Sequence, residues 1–373
     1  MKIVIFGLTI SSSWGNGHAT IWRGLCKALS RRGHGIFFFE RDVPYYASHR
    51  DFSGIDGVNL FLYPDWESVS PIAKKQLADA DLGIITSYCA DGIAATDLLL
   101  SSRTEMRAFY DMDTPVTLEM LKSGKDTGYT GPDGLKYFDL VLSYTGGKSL
   151  LELKQMLGAR LVYPLYGSVD PEAHLPVKAS ARYKSDLSYL GTYSEDRQDA
   201  LNALFLKPSR RLPEKRFLIG GSLYPQDFPW NKNIFYMRHV PPPEHPAFYC
   251  SSRMTLNVTR RPMAETGYCP SGRLFEAAAC GTPVLTDKWP GLEDFFHPGT
   301  EIITASTTEE ALQAIQTPDA ALRKIAVSAR EKTLARHTAD HRAQELEDTI
   351  TDACGSLRLH KERFFSGEMT CGG

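Results

Sequence analysis
One pattern limits what this chain can fold into: short apolar runs rich in β-branched and aromatic residues alternate with amphipathic stretches along most of its length. Lys2-Ile3-Val4-Ile5-Phe6 is such a run, closed by Gly7, and its continuity predicts a strand covered on both faces, as in a parallel sheet. A loop of small residues follows, Ser11-Ser12-Ser13-Trp14-Gly15-Asn16-Gly17. Over 18–32 the apolar residues Ile21, Leu25 and Leu29 recur at helical spacing, with Gly33 as the stop. A second strand is expected over 35–40. Strand, glycine-bearing turn, helix and strand make a βαβ unit, whose crossover is right-handed and whose sheet carries helices on both faces.

Runs at 58–62, 82–86, 107–110, 140–143 and 161–165 extend the first sheet. A Pro- and Lys-containing passage, 171–185, interrupts the pattern, which restarts with runs at 187–191, 216–221, 234–236, 255–258, 282–286 and 301–303. The expected architecture is therefore α/β, with a Rossmann-like domain over 1–175 and a second over 176–350. The last helical stretch, 320–349, should lie along the outside and cross back to the first domain, leaving 351–373 as a polar tail. At roughly 150 residues per domain, two domains and a remainder fit the length of 373.

Composition removes several classes of partner. Lys plus Arg number 42 against 44 Asp plus Glu, a net charge of −2, so the molecule as a whole exerts no pull on nucleic acid or an anionic membrane. No nucleic-acid partner is expected. No stretch approaches the roughly 18 apolar residues of a membrane span, and the first apolar run is too short for a signal peptide. The seven cysteines show no CxxC pair, which suits reduced thiols in a cytoplasmic protein.

Several segments carry chemistry. Gly15-Asn16-Gly17-His18-Ala19-Thr20 approximates the dinucleotide fingerprint G-x-G-x-x-G, and Glu40 ends the next strand where an acid would bind ribose hydroxyls. This opens a reading as an NAD-dependent oxidoreductase, against which stands the long gap between Gly7 and Gly15. His18, at a helix start, suits a general base or direct substrate contact, or equally a structural hydrogen-bond donor. Asp111-Met112-Asp113 has the D-x-D form that holds a divalent cation on a diphosphate, or else binds sugar or acceptor hydroxyls from the carboxyl edge of a parallel sheet. Tyr45 and Tyr46 either offer an acceptor a stacking platform, with Trp14, Gly15, Asn16 and Gly17 in the adjoining loop, or pack in the core. His337 and His341 share a helix face but lack the intervening glutamate of a zinc pair, and read as surface residues.

The most informative segment is Pro270-Ser271-Gly272-Arg273-Leu274-Phe275-Glu276, followed by three alanines and Cys280-Gly281-Thr282-Pro283-Val284. Ser271 and Gly272 stand where a helix begins, and its open N–H groups, with Arg273, can receive a diphosphate. Glu276 lies one turn further on, placed for the two hydroxyls of a ribose.

From Ser271 through Gly281-Thr282-Pro283-Val284 to Gly291-Leu292-Glu293, the sequence resembles the donor-binding signature of GT-B glycosyltransferases, most closely the CgeB-like group related to family 4. Phe6-Gly7 with the loop Gly15 to Thr20, Phe39-Glu40-Arg41-Asp42, Val169-Asp170-Pro171 and Asn257-Val258-Thr259-Arg260 resemble that group as well. The resemblance implies two Rossmann-like domains facing across a cleft, the acceptor held by the first and a nucleotide sugar, UDP before others, by the second. It places the ribose on Glu276, the diphosphate on Ser271, Gly272 and Arg273, and the base on the backbone of His239 and Val240. Gly191 and Thr192 would line the cleft, and Glu293 would belong to the donor site. His18, Asp111 or Asp113 would act on the acceptor, a small molecule or a glycan. No cofactor or metal is implied beyond the nucleotide sugar as co-substrate. Where many family 4 enzymes carry a second glutamate touching the transferred sugar, this chain has Tyr268. An epimerase or a non-catalytic nucleotide-sugar binder on the same fold remains an alternative.

Overall fold
Every apolar run read from the sequence forms a strand. In the computed structural model, which describes residues 1–365, the first sheet contains β1 (Lys2–Gly7), β2 (Gly35–Arg41), β3 (Val58–Tyr63), β4 (Leu82–Thr86), β5 (Met106–Asp111), β6 (Leu140–Ser143) and β7 (Val162–Pro164). The second contains β8 (Leu187–Leu190), β9 (Phe217–Gly220), β10 (Ile234–Met237), β11 (Thr255–Asn257), β12 (Val284–Thr286) and β13 (Ile303–Thr304). The strand orders are β3-β2-β1-β4-β5-β6-β7 and β10-β9-β8-β11-β12-β13, with all neighbours parallel.

Both sheets are buried on two faces, which is why their strands read as continuous apolar runs. Ile3 and Ile5 pack on one side of the first sheet and Val4 and Phe6 on the other. Each sheet reverses its order once, between β1 and β4 and between β8 and β11. Crevices of parallel sheets open at the carboxyl ends of strands at such reversals. The segments after β1, β4, β8 and β11 are therefore the ones positioned to form a site.

The helical stretch expected over 320–349 is two helices, Asp319–Arg336 and Ala339–Phe365. The break at His337 and Thr338 has a backbone cause: Val169 N donates to His337 O at 3.0 Å and Ala339 N to Val169 O at 2.8 Å. The segment joining the domains thus pairs with the chain as it returns. Ala339, Ala343, Leu346, Ile350 and Ala353 form a helical stripe buried in the first domain's core. Part of the segment expected as a tail is therefore helix, and 366–373 lie outside the described residues.

The loop after β1 is shaped by Glu40, which is 1% exposed at the end of β2. Thr9 Oγ1 donates to its Oε1 at 2.7 Å, Ile10 N and Ser11 N donate to Oε2 at 2.8 and 2.9 Å, and the Ser11 hydroxyl donates to Oε1. Removing this carboxylate strands four buried donors. Glu40→Ala is expected to destabilise the first domain by about 3 kcal/mol, as measured by urea unfolding followed through tryptophan fluorescence.

Candidate active site between the two sheets
The carboxyl ends of the two sheets face one another across a cleft of about 630 Å³. From the first domain, Gly15, Asn16, Gly17, His18, Tyr46 and Asp113 line it. From the second come Gly191, Thr192, His239 and Val240, together with Ser271, Gly272, Arg273 and Glu276. Residues far apart in sequence are gathered here because each follows the carboxyl end of a strand, most of them at or beside a sheet reversal and His239 and Val240 after the edge strand β10.

On the first-domain wall the loop is rigid. Gly15 has φ +62° and lies under the Tyr45 hydroxyl, so close that a side chain at position 15 would collide with it. The Asn16 side chain accepts from His18 N at 3.0 Å, fixing the start of the helix His18–Arg31. His18 Nε2 lies 3.2 Å from Asp113 Oδ2, both side chains being largely buried. His18 Nδ1 is buried and without a partner, so the pair offers the cleft its Nε2–carboxylate edge.

Asp111, the other acid of the D-x-D segment, lies behind the wall. It is fully buried, and its Oδ1 accepts from Asp113 N at 3.1 Å and Thr117 Oγ1 at 3.0 Å. Burial raises its pKa to about 6 despite those hydrogen bonds. Asp111 and Asp113 therefore do not present two carboxylates to one ligand. Trp14 also stands outside the lining, stacked on His49 with ring centroids 4.0 Å apart and tilted against His239 at 4.9 Å. Tyr45 stands over Gly15, edge-on to Tyr46.

On the opposite wall the helix Gly272–Ala279 starts at Ser271, whose side chain makes no capping hydrogen bond; Leu274 N donates to the Ser271 carbonyl at 3.0 Å, which leaves the Gly272 and Arg273 amides for a ligand. Arg273 Nη1 donates to Asn257 Oδ1 at 2.7 Å, and its guanidinium lies 5.3 Å from the centroid of the Tyr189 ring. Arg197 and Arg260 line the same wall, Arg260 held by Asp196 at 2.8 Å. Gly191 and Gly221 close the wall at the tips of β8 and β9, where a side chain on Gly221 would strike the Gly191 carbonyl.

Glu276 lies at the seam of the two domains. Tyr249 Oη donates to its Oε2 at 3.1 Å, and Thr20 Oγ1 approaches Oε1 across the cleft at 3.5 Å. Burial alone would raise this carboxyl, but His174, His245, Arg273 and the Tyr249 hydroxyl hold it below the ordinary carboxylate value. It is poised as an ionised acceptor. Burial pushes His245 down to about 4, and its Nε2 donates to Val240 O at 3.1 Å. The Val240 carbonyl is therefore engaged within the protein.

A glycosyl transferase-like family model matches residues 197–348, most of the second domain. No curated protein sequence matches the chain. Among solved structures, sucrose-phosphate synthase from Thermosynechococcus elongatus superimposes with a TM-score of 0.69 at 13% identity, covering 95% of this chain and 99% of that one. Anabaena HepE in complex with UDP-glucose gives 0.66 at 14% identity, covering 94% and 100%. An α-glucosyltransferase in complex with UDP and a 13-mer DNA gives 0.68 at 14%, covering 94% and 99%. The fold is GT-B.

Within this GT-B frame, two positions of the donor signature turn away from the cleft. Glu293 is exposed on the turn Leu292–Asp294 and does not line it. Tyr268, with φ +50°, wedges its ring between Gly147 of the first domain and Gly291 of the second, so close that neither glycine could carry a side chain. It clamps the domains and leaves the cleft without the second glutamate. The oxidoreductase reading loses its ribose acid, because Glu40 is saturated by its own domain.

Sequence reasoning missed Arg197, Tyr88, His174, His245 and Tyr249. His245 and Tyr249 stand at i, i+4 on the short helix His245–Cys250, a spacing that could have flagged them; the others became visible only in three dimensions. His337, expected at the surface, is 6% exposed and stacked on Phe275 at 4.7 Å. Burial, then Arg342 and Lys332, push its pKa from 6.5 down to about 3. Between those values the unfolded chain binds a proton that the folded one does not, so its contribution is complete above pH 6.5 and is lost as pH falls. In urea unfolding between about pH 4 and pH 6, His337→Gln should flatten the decline in stability by about 1.4 kcal/mol per pH unit.

Proposed function
We propose that the protein is a glycosyltransferase that moves a sugar from a nucleoside diphosphate, UDP before others, to a hydroxyl of a small-molecule or glycan acceptor. One observation carries this reading: an open helix start, a fixed guanidinium and an ionised, buried carboxylate share one wall of the cleft, opposite a histidine–aspartate pair. The wall supplies what a nucleoside diphosphate needs, amides and Arg273 for the diphosphate and Glu276 for the ribose diol. The family-model match over the same domain and the UDP complexes among the GT-B neighbours support it.

As the bond between the anomeric carbon and the diphosphate oxygen breaks, negative charge grows on the leaving oxygen. The first-turn amides and Arg273 stabilise that charge, so the transfer step is assigned no metal. The His18–Asp113 pair orients the acceptor hydroxyl toward the anomeric carbon, and the proton the hydroxyl loses passes to that pair if configuration is inverted or to the leaving diphosphate if it is retained. Closure of the domains would exclude the water that competes with the acceptor. A net charge of −2 speaks against DNA as the acceptor.

Calorimetry on Glu276→Ala should show UDP binding weakened at least about 100-fold, the worth of two hydrogen bonds to a charged acceptor at about 1.5 kcal/mol or more each. Unchanged affinity would remove Glu276 from the ribose site. With a UDP-sugar and an acceptor found by screening, His18→Ala should lower kcat at least about tenfold and leave donor affinity near that of the wild type. Full wild-type turnover in excess EDTA is expected in the same assay; activity restored only by Mg2+ or Mn2+ would return a metal to the transfer step.

A further inference from the structure
The transfer chemistry does not use His174 and His245, yet both are placed beside Glu276. One ligating atom from each of the three residues lies within 4.8 Å of the others. His174 is 5% exposed, and among the described residues neither of its ring nitrogens has a hydrogen-bond partner. A buried imidazole with both nitrogens idle is rare, because each must give up its water on burial. His245 Nδ1 is likewise buried and unpartnered.

The second shared feature is orientation. His245 Nε2 donates to the Val240 carbonyl at 3.1 Å, which leaves the Nδ1 lone pair free and fixes the ring. Metal-binding histidines are held in this way, one nitrogen on a backbone carbonyl and the other on the ion. Glu276 is held similarly, its Oε2 accepting from Tyr249 Oη at 3.1 Å. Two imidazoles and one carboxylate are the protein ligands of many zinc sites that leave a fourth position open. Bonds of about 2.0–2.2 Å place such ligand atoms roughly 3.3 Å apart, so an ion would draw the three groups inward from their separations of up to 4.8 Å.

We propose that His174, His245 and Glu276 form a site for a Zn2+-class divalent cation, and that the ion and the nucleotide exclude one another. The exclusion rests on the reading of Glu276 as the ribose acceptor. Oε2 of Glu276 already accepts from Tyr249, so a cation on the remaining oxygen would neutralise the carboxylate and occupy the acceptor sites that two sugar hydroxyls need. The ion would therefore occupy the nucleotide-free protein and act as an antagonist of donor binding, apart from the transfer step itself.

The test uses Co2+ as a spectroscopic probe of the full-length protein, followed by displacement with Zn2+. One equivalent should bind with the strong visible bands of a low-coordinate centre and no thiolate-to-cobalt charge-transfer band. His174→Gln, which keeps most of the ring's volume, should weaken Co2+ at least about tenfold, while a wild-type far-UV circular dichroism spectrum and cooperative urea unfolding certify its fold. Saturating UDP should weaken Co2+ binding in the wild type by at least tenfold. No uptake, a thiolate band, or unchanged affinity in His174→Gln would overturn the site. A Co2+ centre that depends on His174 yet ignores UDP would overturn the exclusion and, with it, the ribose role of Glu276. If UDP binding depends on Glu276 and no Co2+ is taken up, the metal site alone fails.

Discussion
A carboxylate removed from water has to be fully hydrogen-bonded, and Glu40 meets that demand entirely from its own domain. Its four donors come from three consecutive residues, so the loop after β1 is fixed at its origin. The loop is then fixed again further along: Ser13 N donates to Asp51 Oδ1 at 3.1 Å, and Arg23 reaches both Asp51 and the Ile10 carbonyl. Asn16 and the helix start follow, and His18 arrives opposite Asp113. Glu276 is the counterpart with the opposite use. It sits on the seam, takes one good hydrogen bond and one long one, and keeps its charge through its surroundings. One buried carboxylate builds the wall; the other remains available to a ligand.

The position of the two walls is set by chain passages rather than by the sheets. The connection leaving the first domain and the chain returning to it run side by side, bridged at Val169 and Thr338. Beyond the bridge the last helix buries its small-residue stripe in the first domain, where Gly24 lets Ala339 approach closely. Tyr268 adds a contact away from this line, with Gly146 N donating to its carbonyl at 2.9 Å and Tyr144 Oη donating to Pro270 O at 2.9 Å. Tyr268 is thus part of the frame that holds the two walls.

The strands were legible in the sequence because burial on both faces leaves an unbroken apolar run. The run at 140–143 and the strand Leu140–Ser143 coincide. The helix start at Ser271 was legible for a similar reason, since a small polar residue, a glycine and an arginine before an alanine-rich turn have few other uses. What could not be read were contacts fixed by tertiary geometry. Asp111 and Asp113 look alike in sequence, yet β5 carries the first into the core and releases the second to the cleft. His337 looks like a surface residue until the break between the last helices turns it onto Phe275. His174 lies in a passage without periodicity, and nothing local announces that it will meet His245.

The charges around the cleft form an asymmetry that bears on what it can hold. Of the carboxylates lining it, Asp113 is paired with His18 and Glu276 lies at the seam. The second domain contributes Arg197, Arg260 and Arg273. Arg260 is neutralised by Asp196, whereas Arg273 leans on a neutral amide and Arg197 on the Thr192 carbonyl at 3.3 Å. Two guanidiniums thus reach the cleft with no carboxylate partner of their own, beside the open amides after Ser271. A low-dielectric cleft strengthens that surplus. A ligand with two adjacent negative charges at one end and a neutral diol at the other would satisfy both arginines and Glu276 together. A singly charged ligand would leave one guanidinium uncompensated.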